Sequence, residues 1–311
     1  MMADAARPQV PHPLQRSVQA RSLADRLPYL TLEARRIALT TLAGLHGRRR
    51  AGPGESFWQF RAFTQGEAAQ RIDWRRSSRD DQLFVREREW EAAHTLWIWI
   101  DASPSMQFRS AAARAEKLDH AAILGLALAD LLVRGGERVG LWGMGPPVSG
   151  GNVIDQLAIQ WLAHHGLAEQ EMPLDKPLSR HHDMVLVSDF LNPLPPWQQQ
   201  IKRWGQQGGR GHLLRIIDPV EAAFPYRGQS ELVSPDSDER LEIGDAGTFR
   251  TLYQARMTDH DAGLEAACTS QNWSWLKHHT DRPLPSGLLA LAGRIIRSAT
   301  SMPANLSAEG F

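Results

Sequence analysis

An α/β fold on a mostly parallel, doubly wound sheet is predicted for this sequence by three observations. After Ala93, short apolar runs alternate with helical patterns, the order that makes a parallel sheet. Several of these runs are continuous rather than alternating, as in strands buried on both faces. Three of them stop at an aspartate: Asp101, Asp189 and Asp218.

Residues 1–29 hold Pro8, Pro11 and Pro13 and no apolar segment of signal-peptide type, and are expected to form a flexible arm. An accessory region is expected over 30–92. It opens with a helix from Leu30 to Leu45, whose apolar residues Leu30, Ala34, Ile37, Ala38 and Leu45 recur at helical spacing. Two alternating segments follow, Phe57 to Phe63 and Leu83 to Trp90, read as half-buried strands of a β-hairpin region joined by an Arg-rich loop.

The α/β domain is expected over 93–300. Its strands are Thr95 to Ile100, Arg138 to Met144, Met184 to Ser188, His212 to Ile217 and Trp273 to His278. Between them, helices are predicted from Ala111 to Arg134 with Ser110 as cap and Gly135-Gly136 as stop, and from Asn152 to His165. Pro196 fits the first turn of a third, reaching Gln206. Helices from Thr248 to Ala267 and Ser286 to Arg297 complete the set, with a polar insertion at about 219–247 and a tail at 301–311.

Composition narrows the function classes. The 311 residues carry 35 Lys plus Arg against 35 Asp plus Glu, so no global charge steers the chain toward nucleic acid or an anionic membrane. The single cysteine, Cys268, cannot close an internal disulfide and suits a reducing, cytoplasmic setting. Of the four lysines, Lys117, Lys176, Lys202 and Lys277, none follows a phosphate-binding glycine loop. The most apolar stretch, Ala121 to Val133, is too short to span a bilayer and contains Asp130.

Chemistry concentrates in Asp101-Ala102-Ser103-Pro104-Ser105-Met106, where the first sheet strand turns toward its helix. In such sheets ligands bind beyond the carboxyl ends of the strands, where strand order reverses. If the Asp101 strand lies beside the Asp189 strand, both carboxylates face one crevice. Clustered carboxylate and hydroxyl oxygens suit Mg²⁺ or Mn²⁺; the alternative is that Asp101 and Ser103 only order the turn. The pairs His164-His165, His181-His182 and His278-His279 lack zinc spacing and read as surface or loop histidines, while Trp97, Trp99, Trp142, Trp161, Trp197 and Trp204 read as core.

Asp101, Ser103, Ser105 and Asp189 in these positions resemble the metal-ion-dependent adhesion site of von Willebrand factor A domains. That family also places a threonine in an intervening loop. The segment from Gly145 to Asn152 has none, so Ser149 or Asn152 substitutes or the ligand is missing. Phe190 stands where the A domains often have glycine.

A second resemblance rests on Gly52-Pro53-Gly54-Glu55-Ser56-Phe57, Arg61-Ala62-Phe63, Gln65-Gly66-Glu67, Arg71-Ile72-Asp73-Trp74-Arg75, Ser77-Ser78-Arg79 and Val85-Arg86-Glu87. This series is similar to the bacterial family called domain of unknown function 58, which joins such a block to a von Willebrand A-like fold. Glu67 departs from the family's usual Asp. The resemblance implies a MoxR-type AAA+ ATPase as partner and an adaptor or co-chaperone role, so a non-enzymatic interaction module is expected. Two alternatives stay open: a Mg or Mn-dependent hydrolase using Asp101 and Asp189, and nucleic-acid binding by the Arg48 to Arg88 block. That block holds ten Arg against six acids, with Trp58 and Trp74 interleaved. The expectation for it is architectural, with Arg71, Arg75, Arg79 and Arg86 paired to Asp73, Asp81, Glu87 and Glu89.

Overall fold

The structure is a computed structural model that describes residues 13–46, 58–64, 70, 72–78, 82–88, 94–164, 171–180, 182–235 and 239–300. These fold as two compact units, one formed by the described residues up to Gly44 and from His94 onward, the other between Leu45 and Ala93. No helix among the described residues is long and apolar enough to cross a membrane.

The smaller unit holds an antiparallel pair, β1 (Trp58–Ala62) and β2 (Phe84–Arg88), with Trp58 opposite Arg88 and Ala62 opposite Phe84. A short helix, α2 (Trp74–Ser77), lies between them in sequence. Asp73 Oδ1 accepts from the Arg75 backbone N–H at 3.1 Å, so this carboxylate orders the start of α2 rather than only serving an arginine side chain. The side chains of Arg71, Arg79, Arg86, Asp81, Glu87 and Glu89 lie outside the described residues.

The larger unit is built on five parallel strands, β3 (Thr95–Ile100), β4 (Arg138–Leu141), β5 (His182–Ser188), β6 (Arg210–Ile217) and β9 (Ser274–His279). Their order is β4-β3-β5-β6-β9, so the direction of winding reverses between β3 and β5. Alternate side chains of each strand serve different cores. Leu96, Ile98, Ile100, Val185 and Val187 pack on one face beneath α3 (Lys117–Arg134), α4 (Val153–Ala163) and α8 (Leu284–Thr300). Trp99, Met184, Leu186 and Leu213 pack on the other with Trp197, Ile201 and Trp204 of α5 (Leu194–Gln206) and Leu264 and Cys268 of α7 (Ala246–Ser270). All six tryptophans read as core are in these clusters, Trp97 at the margin of the second.

Four sequence expectations differ from the structure. The first helix, α1, runs Pro13–His46 and so takes in much of the expected arm. Its stripe Leu27, Leu30, Ala34, Ile37 and Ala38 is buried in the first core, and Arg26 pairs with Glu116 at 2.8 Å and with Asp119, which makes this helix part of the α/β unit. The second helix of this unit starts at Lys117, not Ala111. The chain before it is held in a loop because the Ser110 N–H donates to Asp218 Oδ2 at 2.9 Å, across the carboxyl edge of the sheet.

The insertion is not merely polar. It contains α6 (Pro219–Ala223) and the hairpin β7 (Ser230–Val233) and β8 (Arg240–Ile243), and it encloses a small core of Phe224, Ile243 and Ala246. Finally, His278 is buried in β9, with Nε2 at 3.1 Å from Nδ1 of His120 on α3. His278 lies, with Leu276, on the face of this edge strand that packs against α3 and α8, where its ring meets Gly287, whereas Lys277 on the other face is exposed. His164 is exposed and His182 half-buried, while His165 and His181 lie outside the described residues.

Candidate functional site

The reversal of strand order brings the ends of β3 and β5 side by side, with Ile100 opposite Val187. Asp101 and Asp189 are the next residues on each strand or one beyond it, and both are 1% exposed. An aspartate at this point leaves the ladder and can turn its carboxylate back onto loop N–H groups. Asp101 Oδ1 accepts from the Ser103 backbone N–H at 2.8 Å, and its Oδ2 accepts from the Ser188 hydroxyl at 2.6 Å. Ser188 Oγ in turn accepts from the Phe190 N–H at 2.9 Å. Ser103 and Ser105 are buried with their hydroxyl oxygens 3.1 Å apart. Burial, reinforced by the neighbouring Asp189 charge, pushes the Asp101 carboxyl up to about 7 against the opposing pull of the Ser188 and Ser103 hydrogen bonds.

Asp189 has a different partner. Its Oδ1 accepts from the Leu191 N–H at 3.1 Å, and its Oδ2 lies 2.8 Å from Lys117 Nζ. Lys117, wholly buried, also reaches Glu221 Oε1 at 2.6 Å. Burial works to lower the ammonium's pKa, yet the charges and hydrogen bonds of Asp189 and Glu221 reverse the shift and hold Lys117 above its ordinary value. Glu221 is itself fixed by a capping box at α6: Asp218 accepts from the Val220 N–H at 2.8 Å, and Glu221 Oε2 accepts from the Asp218 N–H at 3.0 Å. The turn after Asp189 places Phe190 at φ 51, a left-handed conformation that favours glycine. Its ring is wholly buried against Trp197 and Trp275, at centroid distances of 4.9 and 5.9 Å, which offsets that cost.

The structure therefore brings together four of the five residues singled out for a metal: Asp101, Ser103, Ser105 and Asp189. It does not bring Ser149 to them. Val148 pairs antiparallel with Val139, so the exposed Ser149 continues toward the amino end of β4, the end of the sheet opposite the crevice. Asn152 follows on the same side, before α4. Lys117, Ser188, Asp218 and Glu221 belong to the site and were not foreseen. The helix expected from Ala111 puts Lys117 well inside it, where a lysine is an ordinary surface residue, whereas the observed helix begins at Lys117.

A divalent cation fits this donor set poorly as it is arranged. Both Asp101 oxygens accept protein hydrogen bonds, Asp189 Oδ2 faces an ammonium, and Ser149 lies toward the other end of the sheet. Among the described residues no three His, Cys, Asp or Glu side chains converge as a metal cluster.

Beyond the crevice, Ser105 and Glu221 border a groove of about 520 Å³ whose walls include Phe108, Leu191, Phe224, Tyr226 and Tyr253. Leu191 is 40% and Tyr226 38% exposed, so apolar surface faces solvent here.

Comparison with known proteins gives relatives along most of the chain. The uncharacterized protein Rv1480 of Mycobacterium tuberculosis (strain ATCC 25618 / H37Rv) is 25% identical over 301 residues, covering 90% of this chain and 93% of the relative. The uncharacterized protein Mb1516 of Mycobacterium bovis is similar to the same extent. Among solved structures, the conserved hypothetical protein BatB from Bacteroides thetaiotaomicron aligns with 67% of this chain and 100% of its own, at 12% identity and a TM-score of 0.38. An aerotolerance-related membrane protein from Bacteroides fragilis NCTC 9343 aligns with 66% of this chain at 13% identity and a TM-score of 0.36. Residues 59–263 match the family described as "Protein of unknown function DUF58".

Proposed function

The chain belongs to the DUF58 family, and from that premise we propose that it is a non-enzymatic interaction module, with a von Willebrand A-like α/β unit that binds a protein partner at the carboxyl edge of its sheet. The observation that carries the proposal is the groove that continues from Ser105 and Glu221 over Leu191, Phe224 and Tyr226. It places solvent-facing apolar side chains beside a polar crevice whose own groups are largely satisfied by one another, the composition of a recognition surface rather than of a reacting centre. The strand order and the D-x-S-x-S turn at the end of β3 support the von Willebrand A-like reading. The partner we propose, through the family resemblance alone, is a MoxR-type AAA+ ATPase, with this chain as adaptor or co-chaperone.

Catalysis finds less support in the same geometry. A hydrolase built on Asp101 and Asp189 needs a base that reaches a substrate: Asp101, though raised to about 7, is enclosed with both oxygens bonded to Ser103 and Ser188, and Lys117 is held as an ammonium between two carboxylates. The Ser103 and Ser105 hydroxyls face each other and not a histidine.

The test is capture of a purified MoxR-type ATPase by the full chain, with Leu191→Asp placing a charge in the groove at an exposed position. Capture is expected to fall at least about tenfold for the variant, since a charge buried at an interface centre costs several times the thermal energy, while its melting temperature stays close to that of the wild type. Equal capture by wild type and a folded variant overturns the groove as the recognition site. No capture by the wild type overturns the partner.

A further inference from the structure

We infer that the Lys117 ammonium is a built-in cation of the crevice, standing where a divalent ion would neutralise Asp189, so that the site works without a bound metal.

A lysine at this position is costly. Lys117 opens α3, an 18-residue helix, at the end where the unpaired N–H groups and the helix dipole already present positive charge. A cation is disfavoured at that end, and complete burial disfavours it further. Local preference would therefore choose almost any other residue. Such a conflict persists where surrounding groups repay it, and here Asp189 at 2.8 Å and Glu221 at 2.6 Å do so from two separate elements. The three side chains tie the first turn of α3, the end of β5 and the start of α6 into one ion-paired unit, a single ammonium shared by two carboxylates.

The remaining donors follow from the same arrangement. A metal at Asp189 Oδ2 would sit within hydrogen-bond distance of an ammonium, and two cations cannot share that oxygen without strong repulsion. Asp101 is occupied by the Ser103 N–H and the Ser188 hydroxyl. Ser103 and Ser105 remain as a hydroxyl pair, which alone is a weak ligand set for Mg²⁺ or Mn²⁺. The inference concerns the same crevice as the proposed function but does not rest on it, because it can be tested with no partner present.

The test uses the full chain and Mn²⁺, with electron paramagnetic resonance counting the free ion and Mg²⁺ as competitor. For the wild type the expected result is no saturable loss of free Mn²⁺ and the same melting temperature in Mg²⁺ as in chelator. Lys117→Met, checked for folding by circular dichroism, is expected to gain a site saturating at one Mn²⁺ per chain that Ser105→Ala removes again. Saturable binding by the wild type that Ser105→Ala abolishes overturns the inference, as does a folded Lys117→Met that binds no ion. Should Lys117→Met not fold, the wild-type titration decides by itself. If the ATPase is captured, capture should be equal in Mg²⁺ and in chelator. Loss in chelator with the ATPase free of nucleotide, so that its own Mg²⁺ requirement plays no part, overturns the built-in cation while leaving the recognition surface standing, whereas failure of capture in both leaves the metal result untouched.

Discussion

At the scale of single residues, the crevice is a set of charges that depend on one another. Lys117 has no solvent to fall back on, since its side chain is 0% exposed, and Asp189 is nearly as enclosed at 2%. Removing one member of such a group strands the others, which costs more than the group contributes when complete. Lys117→Met should therefore destabilise the fold by about 3–5 kcal/mol, because Asp189 and Glu221 are left as facing carboxylates. Asp189→Asn alone should cost less, since Glu221 still answers the ammonium. In the double variant the two changes should compensate, with a coupling on the order of 1 kcal/mol or more. Urea denaturation of the four proteins measures it, and strict additivity would mean that the buried pair contributes nothing.

At the scale of elements, most strands and helices were legible to within three residues, and the starts of α1 and α3 were not. Thr95 to Ile100 and Met184 to Ser188 read as buried strands because their apolar runs have no polar face, and each is where the run ends. The start of α3 was not legible because it is set by a contact between loops: the Ser110 N–H bonds to Asp218, a residue 108 positions away. The same error hid Lys117, which only a helix beginning at that residue turns toward Asp189. Ser149 was misplaced for a related reason, since the backtracking of Val148 along Val139 is a pairing that spacing does not encode. Element packing also makes a prediction of its own at Gly211 in β6. A Cβ there would overlap the ring of Trp273, which stacks on Trp204 at 6.1 Å and 13° and donates from Nε1 to Gly209 O at 3.0 Å. The ring is held on both counts, so Gly211→Ala should cost about 1–3 kcal/mol. Gly151→Ala, where an added Cβ meets nothing within 4 Å, should stay within about 0.5 kcal/mol of wild type. Thermal melts of the two variants side by side give the comparison.

For the whole molecule, buried ionisable groups from several elements add up to a dependence of stability on pH. Burial lowers His120 to about 4, His212 to about 4 and His278 to about 3, the last helped by the neighbouring His120. Unfolded, each returns to an ordinary value of about 6.5. Between those limits the unfolded chain takes up protons that the folded chain refuses, so stability falls as the pH falls, by about 1.4 kcal/mol per pH unit for each histidine. Asp101 acts in the opposite sense. Its folded carboxyl is raised to about 7, so from there down to its ordinary range the folded chain holds a proton that the unfolded chain has lost, and stability rises on acidification. These four groups alone leave a slope of nearly two protons, about 2.5 kcal/mol lost per pH unit between roughly pH 6 and 5; His279, also lowered by burial, adds to the loss, and Glu221, raised by burial, opposes it. The two contributions separate by mutation. His212→Asn should reduce the slope by about one proton, and Asp101→Asn should steepen it by about one, whatever either change does to stability at pH 7. Unfolding free energies from urea titrations at half-unit intervals of pH give these slopes. Equal slopes in wild type and His212→Asn would mean that this histidine is not held neutral in the fold, and a slope unchanged by Asp101→Asn would mean that the crevice carboxyl ionises like an exposed one.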